Sequence, residues 1–194
     1  MPIRLFLPGI FYLSLLLSAC GNDYSPKPRG YFKIDLPEKK YRAYQSDCPF
    51  TFDYPIYANV LTDSNRNAQP CWKDVAYPGF NGRIHLSYQA ITSTDEFNKL
   101  VEDAHTFVFK HTVKATAIDE SIISIPEKDV YGIYYTIDGN VASPVQFFLT
   151  DSSRNYLRGA LYFNEQPRLD SIQPVLDFVK QDIDVMIRSF KWKN

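Results

Sequence analysis

The sequence has little of several residue types on which particular protein classes depend. Its 194 residues include two Met, eight Gly and three Cys, and 21 Lys and Arg stand against 22 Asp and Glu. Such low counts of Met and Gly exclude a Met-rich binding groove and a Gly-rich repeat. The net charge of −1 provides no broad positive surface for DNA or RNA, so we predict no nucleic-acid partner.

Sequence motifs of the common enzyme classes are also missing. The chain contains no H-E-x-x-H zinc motif, no G-x-S-x-G nucleophile motif, no P-loop and no dinucleotide fingerprint. Its histidines are His85, His105 and His111, and the last two are six residues apart on one predicted helix. Six residues turn a helix by about 600°, so these two side chains point to different faces and cannot share an ion. The sequence therefore predicts no enzyme, no metal site and no cofactor.

Two polar stretches have a second interpretation. Asp151-Ser152-Ser153-Arg154 would suit a hydrolase if His85 lay beside it as a general base. The same residues are typical of a hairpin turn whose Asp and Ser side chains accept backbone hydrogen bonds, and we favour the turn. On the last predicted helix, Asp182 and Asp184 are expected to be solvent-exposed charges.

Aromatic residues, in contrast, are abundant. The chain has 14 Tyr, 14 Phe and 2 Trp, and 45% of its residues are hydrophobic. A disordered chain has few aromatic residues and a large net charge, so this composition indicates a folded protein.

The first twenty residues have the pattern of an exported lipoprotein. A basic start at Arg4 is followed by a mostly apolar stretch over 5–17 and then by Leu-Ser-Ala-Cys ending at Cys20. The stretch is too short for a lasting transmembrane helix, which needs about 20 apolar residues, and it fits a secretory signal peptide. The four residues resemble the bacterial lipobox. That resemblance implies cleavage before Cys20 and attachment of diacylglycerol, usually with a further acyl chain such as palmitate, to Cys20; a signal peptide whose cysteine carries no lipid is the alternative.

These features divide the chain into three parts. We predict a lipoprotein signal peptide over 1–19, a polar lipid-anchored tether over 20–30 and a single globular domain over 31–194. Cys48 and Cys71 are the two cysteines left after Cys20, and an even number in an exported chain predicts a disulfide between them. Two buried free thiols are the alternative.

The domain is predicted to be α+β, with a mostly antiparallel sheet packed with two main helices. Ser93 and Glu96 form a capping box at the start of the first helix. Alternating apolar residues indicate strands, and the last three of these strands form an antiparallel meander. The predicted strands are 50–54, 83–88, 121–126, 130–138, 145–150 and 156–163, the predicted helices are 94–113 and 170–190, and 56–82 is predicted to be a long loop.

The meander supplies one candidate interaction surface, and the predicted loop 56–82 is the other. With a period of two residues, some of its aromatic side chains face the helices and the rest face outward. Outward aromatics can stack on sugars or bury a protein partner, unless the N-terminal segment covers them. The candidate surface residues are Tyr134, Phe148, Arg154, Tyr156, Arg158 and Tyr162.

Several long strings resemble a known family. They are PKPRGYF from Pro26, IDLPEKKY from Ile34, CPFTFDYP from Cys48, GNVAS from Gly139, QFFLTDS from Gln146 and LRGALYF from Leu157. Together they resemble the GldD family of gliding-motility lipoproteins of Bacteroidota over about 20–194. A shorter resemblance, in FTFDYP from Phe50 and SFKW from Ser189, is to PsbP-type domains and concerns the fold alone.

The family resemblance implies a function. GldD-like proteins are envelope lipoproteins needed for gliding and tied to the type IX secretion machinery, and no enzymatic activity is attached to them. The implied partners are other gliding-motility lipoproteins and proteins of the secretion and motor complex, with the membrane held through the lipid. We expect an anchor in the inner membrane or in the periplasmic leaflet of the outer membrane, with the domain facing the periplasm. A lipid-anchored module that binds a glycan or another ligand is the alternative function.

Overall fold

The fold is described from a computed structural model, which covers residues 34–110, 113–164 and 169–193, with backbone alone for 169–171. The predicted signal peptide, Cys20, the tether and His111 lie outside these residues. Residues from Asp35 onward form one compact unit.

Eleven strands and two α-helices lie in the described ranges. The strands are β1 Tyr41–Ala43, β2 Phe50–Thr51, β3 Asp53–Pro55, β4 Asn59–Thr62, β5 Lys73–Tyr77, β6 Gly82–Ala90, β7 Ala115–Ile125, β8 Val130–Gly139, β9 Val145–Thr150, β10 Asn155–Phe163 and β11 Lys191–Trp192, and the helices are α1 Thr94–Phe109 and α2 Leu169–Ser189. The α+β class predicted from the sequence is confirmed. No helix among the described residues is long and apolar enough to cross a bilayer.

The main sheet has seven antiparallel strands in the order β4-β5-β6-β10-β9-β8-β7. Strands β8, β9 and β10 are neighbours in space as in sequence, which confirms the predicted meander. Strand β10 also pairs along its whole length with β6. This pairing joins the meander to the N-terminal half of the domain. Because side chains alternate along each strand, the sheet has two faces with different partners.

The first face packs against α2. Five apolar residues recur along α2 at helical spacing and are buried: Leu176, Val179, Ile183, Met186 and Ile187. They meet side chains from β5, β6, β9 and β10 in one large core. At Gly159 the packing is so close that a Cβ atom would lie 2.2 Å from the ring of Phe147, so only glycine fits there. Burial of each large apolar side chain in this core contributes about 1.5–3 kcal/mol.

The second face is partly covered by α1. The predicted capping box is present, because Ser93 Oγ accepts a hydrogen bond from Glu96 N at 3.2 Å. The Glu96 carboxylate reaches back one residue further than expected and accepts from Thr92 N at 2.8 Å. The helix ends at Phe109, before the predicted end at 113. Its buried residues Ala104 and Val108 pack on β8, β9 and β10 in a second, smaller core.

Two small two-stranded sheets lie beside the main sheet. Strand β2 pairs with β11, and β3 pairs with β1. The predicted strand 50–54 is therefore divided at Phe52 and lies outside the main sheet. The predicted disulfide is confirmed: Cys48 and Cys71 are bonded, with their Cα atoms 5.5 Å apart.

The region 56–82 is not the long loop that we expected. It contains β4 and β5, which form an antiparallel pair at one edge of the main sheet. Val75 and Tyr77 alternate into the first core and are almost fully buried. These strands are too short to show a period in the sequence. Their conformation depends on pairing of β5 with β6 and of β4 with β5.

A buried carboxylate links α2 to the segments before the main sheet. Asp182 is fully buried, and its Oδ1 receives hydrogen bonds from Lys39 Nζ at 2.7 Å and Tyr41 OH at 2.8 Å. Tyr57 OH donates to Oδ2 at 2.8 Å. Lys39 also lies 3.6 Å from the centroid of the Phe178 ring. The expectation that Asp182 is solvent-exposed is therefore wrong, because a lysine and two tyrosines distant in sequence neutralise and solvate it.

The same cluster changes the acidity of its tyrosines. Burial, followed by the hydrogen bond to the Asp182 carboxylate, raises the pKa of Tyr41 and of Tyr57 well above the usual range. Both phenols therefore remain protonated donors at any physiological pH. Because their pKa values are raised on folding, the stability that they contribute is complete below about pH 10 and decreases at higher pH.

Replacing Asp182 tests this cluster. We expect Asp182→Asn to lower the free energy of unfolding by about 3 kcal/mol, because the Lys39 charge loses its buried partner. The matched control is Asp184→Asn, which removes an exposed carboxylate paired with Arg188 and is expected to cost about 0.5 kcal/mol. Urea denaturation measures both values. Equal effects of the two substitutions would contradict a special role for Asp182.

The disulfide gives a second stability prediction. The cysteines are 23 residues apart in sequence, and a loop of this size restricts the unfolded chain by about 3 kcal/mol in the chain-entropy model. The double variant Cys48→Ser/Cys71→Ser should lose that amount in urea denaturation. Reductant should destabilise the wild-type domain by a similar amount and leave the double variant unchanged; an effect of reductant on the variant would show that another group is responsible.

Candidate interaction surface

The second face of the main sheet is covered over only part of its area. Helix α1 packs over β8, β9 and the start of β10, where Tyr135, Ile137, Phe148 and Tyr156 are buried. Toward β5 and β6 the same face carries polar side chains that are partly exposed. This division determines which of the predicted surface residues are available to a partner.

Two predicted surface residues are buried. Phe148 is 4% exposed and Tyr156 2% exposed, and their rings stack beneath α1 with centroids 5.5 Å apart. Tyr156 OH donates to the Leu100 carbonyl of α1 at 3.2 Å. The expectation that they face a partner is wrong, because the alternation of residues identifies two faces and helices cover both.

Two other predicted surface residues, Tyr134 and Arg154, lie outside the part of the second face that α1 covers. Tyr134 lies on the first face and packs against the large core, where burial, with a smaller effect of the Asp184 charge, raises its pKa well above the usual range. Arg154 is exposed in the hairpin between β9 and β10 and lines a polar groove of about 580 Å³ together with Asp151 and Trp192.

Arg158 and Tyr162 are the predicted residues that share one partly exposed surface. Both point from β10 to the second face, on either side of Ala160, which pairs with His85. We call Arg83, His85, Arg158 and Tyr162 the open face. Arg158 Nη2 donates to Gln146 Oε1 at 2.5 Å, and its guanidinium lies 4.7 Å from the Phe107 ring centroid. These contacts hold the guanidinium in one position while part of it remains exposed.

One acidic residue beneath the open face offsets part of the positive charge of its arginines. Asp74 is 6% exposed and pairs directly with His85 across β5 and β6. Its Oδ2 accepts from Arg83 Nη1 at 3.2 Å, and its Oδ1 lies 2.5 Å from His85 Nδ1. The His85 ring in turn meets the edge of the Tyr162 ring, with centroids 5.4 Å apart.

Sequence reasoning missed Asp74 and Arg83. The alternation along 83–88 already placed Arg83 and His85 on one face, so that signal was available. The sequence predicts a loop at Asp74, and only the pairing of β5 with β6 places this residue opposite His85.

The Asp151 loop is a hairpin turn, as favoured from the sequence. Asp151 Oδ1 accepts from the backbone N–H groups of Ser153, Arg154 and Asn155 at 2.7–2.9 Å. Burial by itself would raise the pKa of Asp151, but these donors outweigh burial and lower the pKa to about 2. The carboxylate is therefore fully used in shaping the turn.

The structure does not bring His85 to this loop. His85 pairs with Ala160 and Ala90 pairs with Asn155, so five residues of strand, about 16 Å, separate His85 from the end of the hairpin. That distance is beyond a bridging water, and the hydrolase alternative is wrong for this pair of groups.

A second groove lies between α1 and the sheet. It measures about 520 Å³ and is lined mainly by apolar atoms of Phe97, Val101, Tyr131 and Phe148. His105 also borders it, stacked on Phe109 with ring centroids 4.1 Å apart.

These features define an α+β protein with a helix on each face of an antiparallel sheet and a partly exposed strip of charged and aromatic residues. The chain belongs to the family of gliding motility lipoproteins GldD, whose family model matches residues 21–192. The resemblance noted in the sequence is thereby confirmed. Membership implies a protein of gliding motility held by lipid at a membrane of the cell envelope, and it favours a role without enzymatic activity.

One solved structure is similar to the chain. The solution structure of cyanobacterial PsbP (CyanoP) from Synechocystis sp. PCC 6803 is 12% identical in sequence, with a TM-score of 0.44. The similarity covers 83% of this chain and 97% of that chain. None of the curated proteins compared with the chain matches it.

Removal of the Asp151 carboxylate should have an effect that depends on pH. Asp151→Ala leaves backbone donors unpaired and is expected to cost about 1–2 kcal/mol at neutral pH. Because folding lowers the pKa from 3.8 to about 2, the difference from wild type is complete above about pH 4 and shrinks as pH falls toward 2. Urea denaturation at several pH values measures it. Asp119→Ala, at an exposed position of β7, is the control and should cost less than about 0.5 kcal/mol; a constant deficit for Asp151→Ala down to pH 2 would contradict the assignment.

Proposed function

We propose that this protein is required for gliding motility as an assembly or stabilising component of the gliding and type IX secretion machinery. It acts through protein–protein contacts made by the open face. The observation that carries the proposal is membership of the gliding-motility lipoprotein family over 21–192, together with a rigid, partly exposed strip on the sheet.

The composition of the open face supports a protein partner. Arginine and tyrosine are enriched among the residues that contribute most to binding energy at protein interfaces. Arg158 and Tyr162 extend from a strand paired on both sides, so little conformational entropy is lost when they bind. Asp74 beneath Arg83 and His85 keeps the strip from being purely cationic.

The buried Asp182 cluster supports a stabilising role. Lys39 is 19 residues after Cys20 in sequence and is tied to α2 by hydrogen bonds to Asp182 Oδ1 and to the Phe178 carbonyl, both at 2.7 Å. A load applied through a lipid on Cys20 would therefore reach a segment attached to the longest helix of the domain. Such an attachment suits a component that keeps a membrane-bound assembly together.

We propose that Cys20 carries the lipid, in the inner membrane or in the periplasmic leaflet of the outer membrane, and that the domain faces the periplasm. The Cys48–Cys71 disulfide supports an oxidising compartment. Other gliding-motility lipoproteins and proteins of the secretion and motor complex are the proposed partners.

The glycan-binding alternative receives less support. It needs a platform of exposed aromatic rings, and Phe148 and Tyr156 are used in the core beneath α1. The apolar groove beside α1 is the feature that would serve a ligand. Two results together would favour this alternative. Substitutions that narrow the groove would abolish glycan binding, and substitutions of the open face would leave motility unchanged.

Substitution of the open face tests the proposal. In a deletion strain of the host, a gene encoding Arg158→Ala/Tyr162→Ala should restore at most a small part of colony spreading, because the partner contact is lost. Arg42→Ala/Tyr54→Ala is the matched control: it removes the same residue types, which form a cation–π pair 4.8 Å apart on β1 and β3. The control should restore spreading. Protein level in the membrane fraction and secreted proteins are measured for both.

Each outcome has a defined consequence. Full spreading with the Arg158/Tyr162 variant at normal protein level would refute the open face as the contact. Loss of secretion together with spreading would place the protein in the shared export apparatus, whereas loss of spreading alone would place it in the motor or adhesin path. Cys20→Ala should fail to restore spreading, and full rescue by this form would refute the proposed anchor.

A further inference from the structure

The structure assigns a binding site for a divalent transition-metal ion, with Zn²⁺ as the reference ion, to Asp63, Asp74 and His85. One ligand atom from each residue lies within 4.8 Å of the others. The sequence predicted no metal site because it offered no ligand motif along the chain. This inference goes beyond the proposed function and does not depend on it, since it concerns an affinity of the purified chain.

The sheet brings the three residues together from three neighbouring strands. Asp74 on β5 is directly opposite His85 on β6. Asp63 follows β4, and its N–H donates to the Trp72 carbonyl at 3.1 Å, which continues the β4–β5 pairing by one residue. Because Leu61 pairs with Asp74 and side chains two residues apart share a face, Asp63 lies on the same face as the other two.

Asp74 provides the observation that indicates a ligand. It is 6% exposed, and its Oδ1 is buried without a hydrogen-bond partner among the described residues. His85 Nδ1 is 2.5 Å from this oxygen, but the two groups are not aligned as a hydrogen bond. A buried carboxylate oxygen without a donor is costly, and a cation bound by both Oδ1 and the imidazole nitrogen, once these two atoms have moved apart, would satisfy it.

The remaining contacts are compatible with metal binding. Arg83 Nη1 donates to Oδ2 of Asp74 at 3.2 Å. Asp74 can therefore bind an ion through Oδ1 while Arg83 fixes the orientation of the carboxylate. Asp63 accepts from the backbone and side-chain nitrogens of Asn65 through Oδ1, which leaves Oδ2 to turn toward the ion.

The donor set indicates the class of ion. One imidazole nitrogen and two carboxylate oxygens suit Zn²⁺ and similar divalent transition metals, whereas Ca²⁺ takes six to eight oxygen ligands. Zn²⁺ with bonds of about 2.0–2.2 Å holds its donors about 3.3 Å apart. Rotation of the half-buried Asp63 and His85 side chains would bring the donors to this spacing: Asp74 Oδ1 and His85 Nδ1 would separate from 2.5 Å, and the more distant donors, which lie within 4.8 Å of one another, would approach. Three protein ligands leave one tetrahedral position for water or for a donor from a partner.

Titration of the full chain with Zn²⁺ tests this site. The chain is purified in detergent with its disulfide intact, stripped of metal with a chelator and titrated by calorimetry near neutral pH. We expect one Zn²⁺ per chain with a dissociation constant of about 10 μM or lower, and an increase in the melting temperature with Zn²⁺. His85→Ala and the isosteric Asp63→Asn should each weaken binding by at least about 10-fold.

The control variant and the competing ions make the test decisive. His105→Ala removes an exposed histidine of α1, away from the site, and should leave the affinity unchanged. Binding that is absent up to about 1 mM Zn²⁺, or equal in wild type and His85→Ala, would overturn the site. Binding of Ca²⁺ or Mg²⁺ in place of Zn²⁺ would overturn the assigned class of ion.

Discussion

The neutralisation of one buried carboxylate underlies the arrangement of this domain. Asp182 lies on the helix that closes the first face of the sheet, and its desolvation is tolerable only with Lys39, Tyr41 and Tyr57 in place. Those three residues come from the segments that precede the main sheet. The cluster therefore sets the position of the N-terminal part of the domain on α2, and the disulfide links this part, at Cys48, to the connection between β4 and β5, at Cys71.

Covering both faces of the sheet also determines what remains for recognition. Most of the abundant aromatic residues are used in two cores, one under α2 and one under α1. The strip toward β5 and β6 keeps charged and aromatic groups partly exposed. The area to which we assign recognition is narrow, and its residues Arg83, His85, Arg158 and Tyr162 are supported by neighbouring strands. Such an area suits a fixed partner in an assembly better than a mobile ligand.

The elements predicted best have strong local signals. Strand 145–150 was predicted with its observed bounds, and β10 within one residue, because apolar runs between turn residues are sufficient evidence. The capping box placed the start of α1. The short strands β4 and β5 were missed because four or five residues show no period, and their conformation depends on pairing of β5 with β6 and of β4 with β5. Of the six residues predicted for the interaction surface, Phe148 and Tyr156 are buried, whereas Arg158 and Tyr162 lie on the partly exposed open face, where contact with a partner stays a prediction.

The family, the α+β class, the meander, the turn at Asp151 and the pairing of Cys48 with Cys71 can all be predicted from the order of residues along the chain. The family follows from the long strings that resemble it, and the other features follow from local periodicity, turn chemistry and the small number of cysteines. Tertiary structure alone decided that Asp182 is buried, that α1 covers Phe148 and Tyr156, and that Asp74 meets His85. Each of these features depends on residues that are distant in sequence, because burial and ion pairing are set by which segments pack together. Such packing produces no periodic pattern in the sequence.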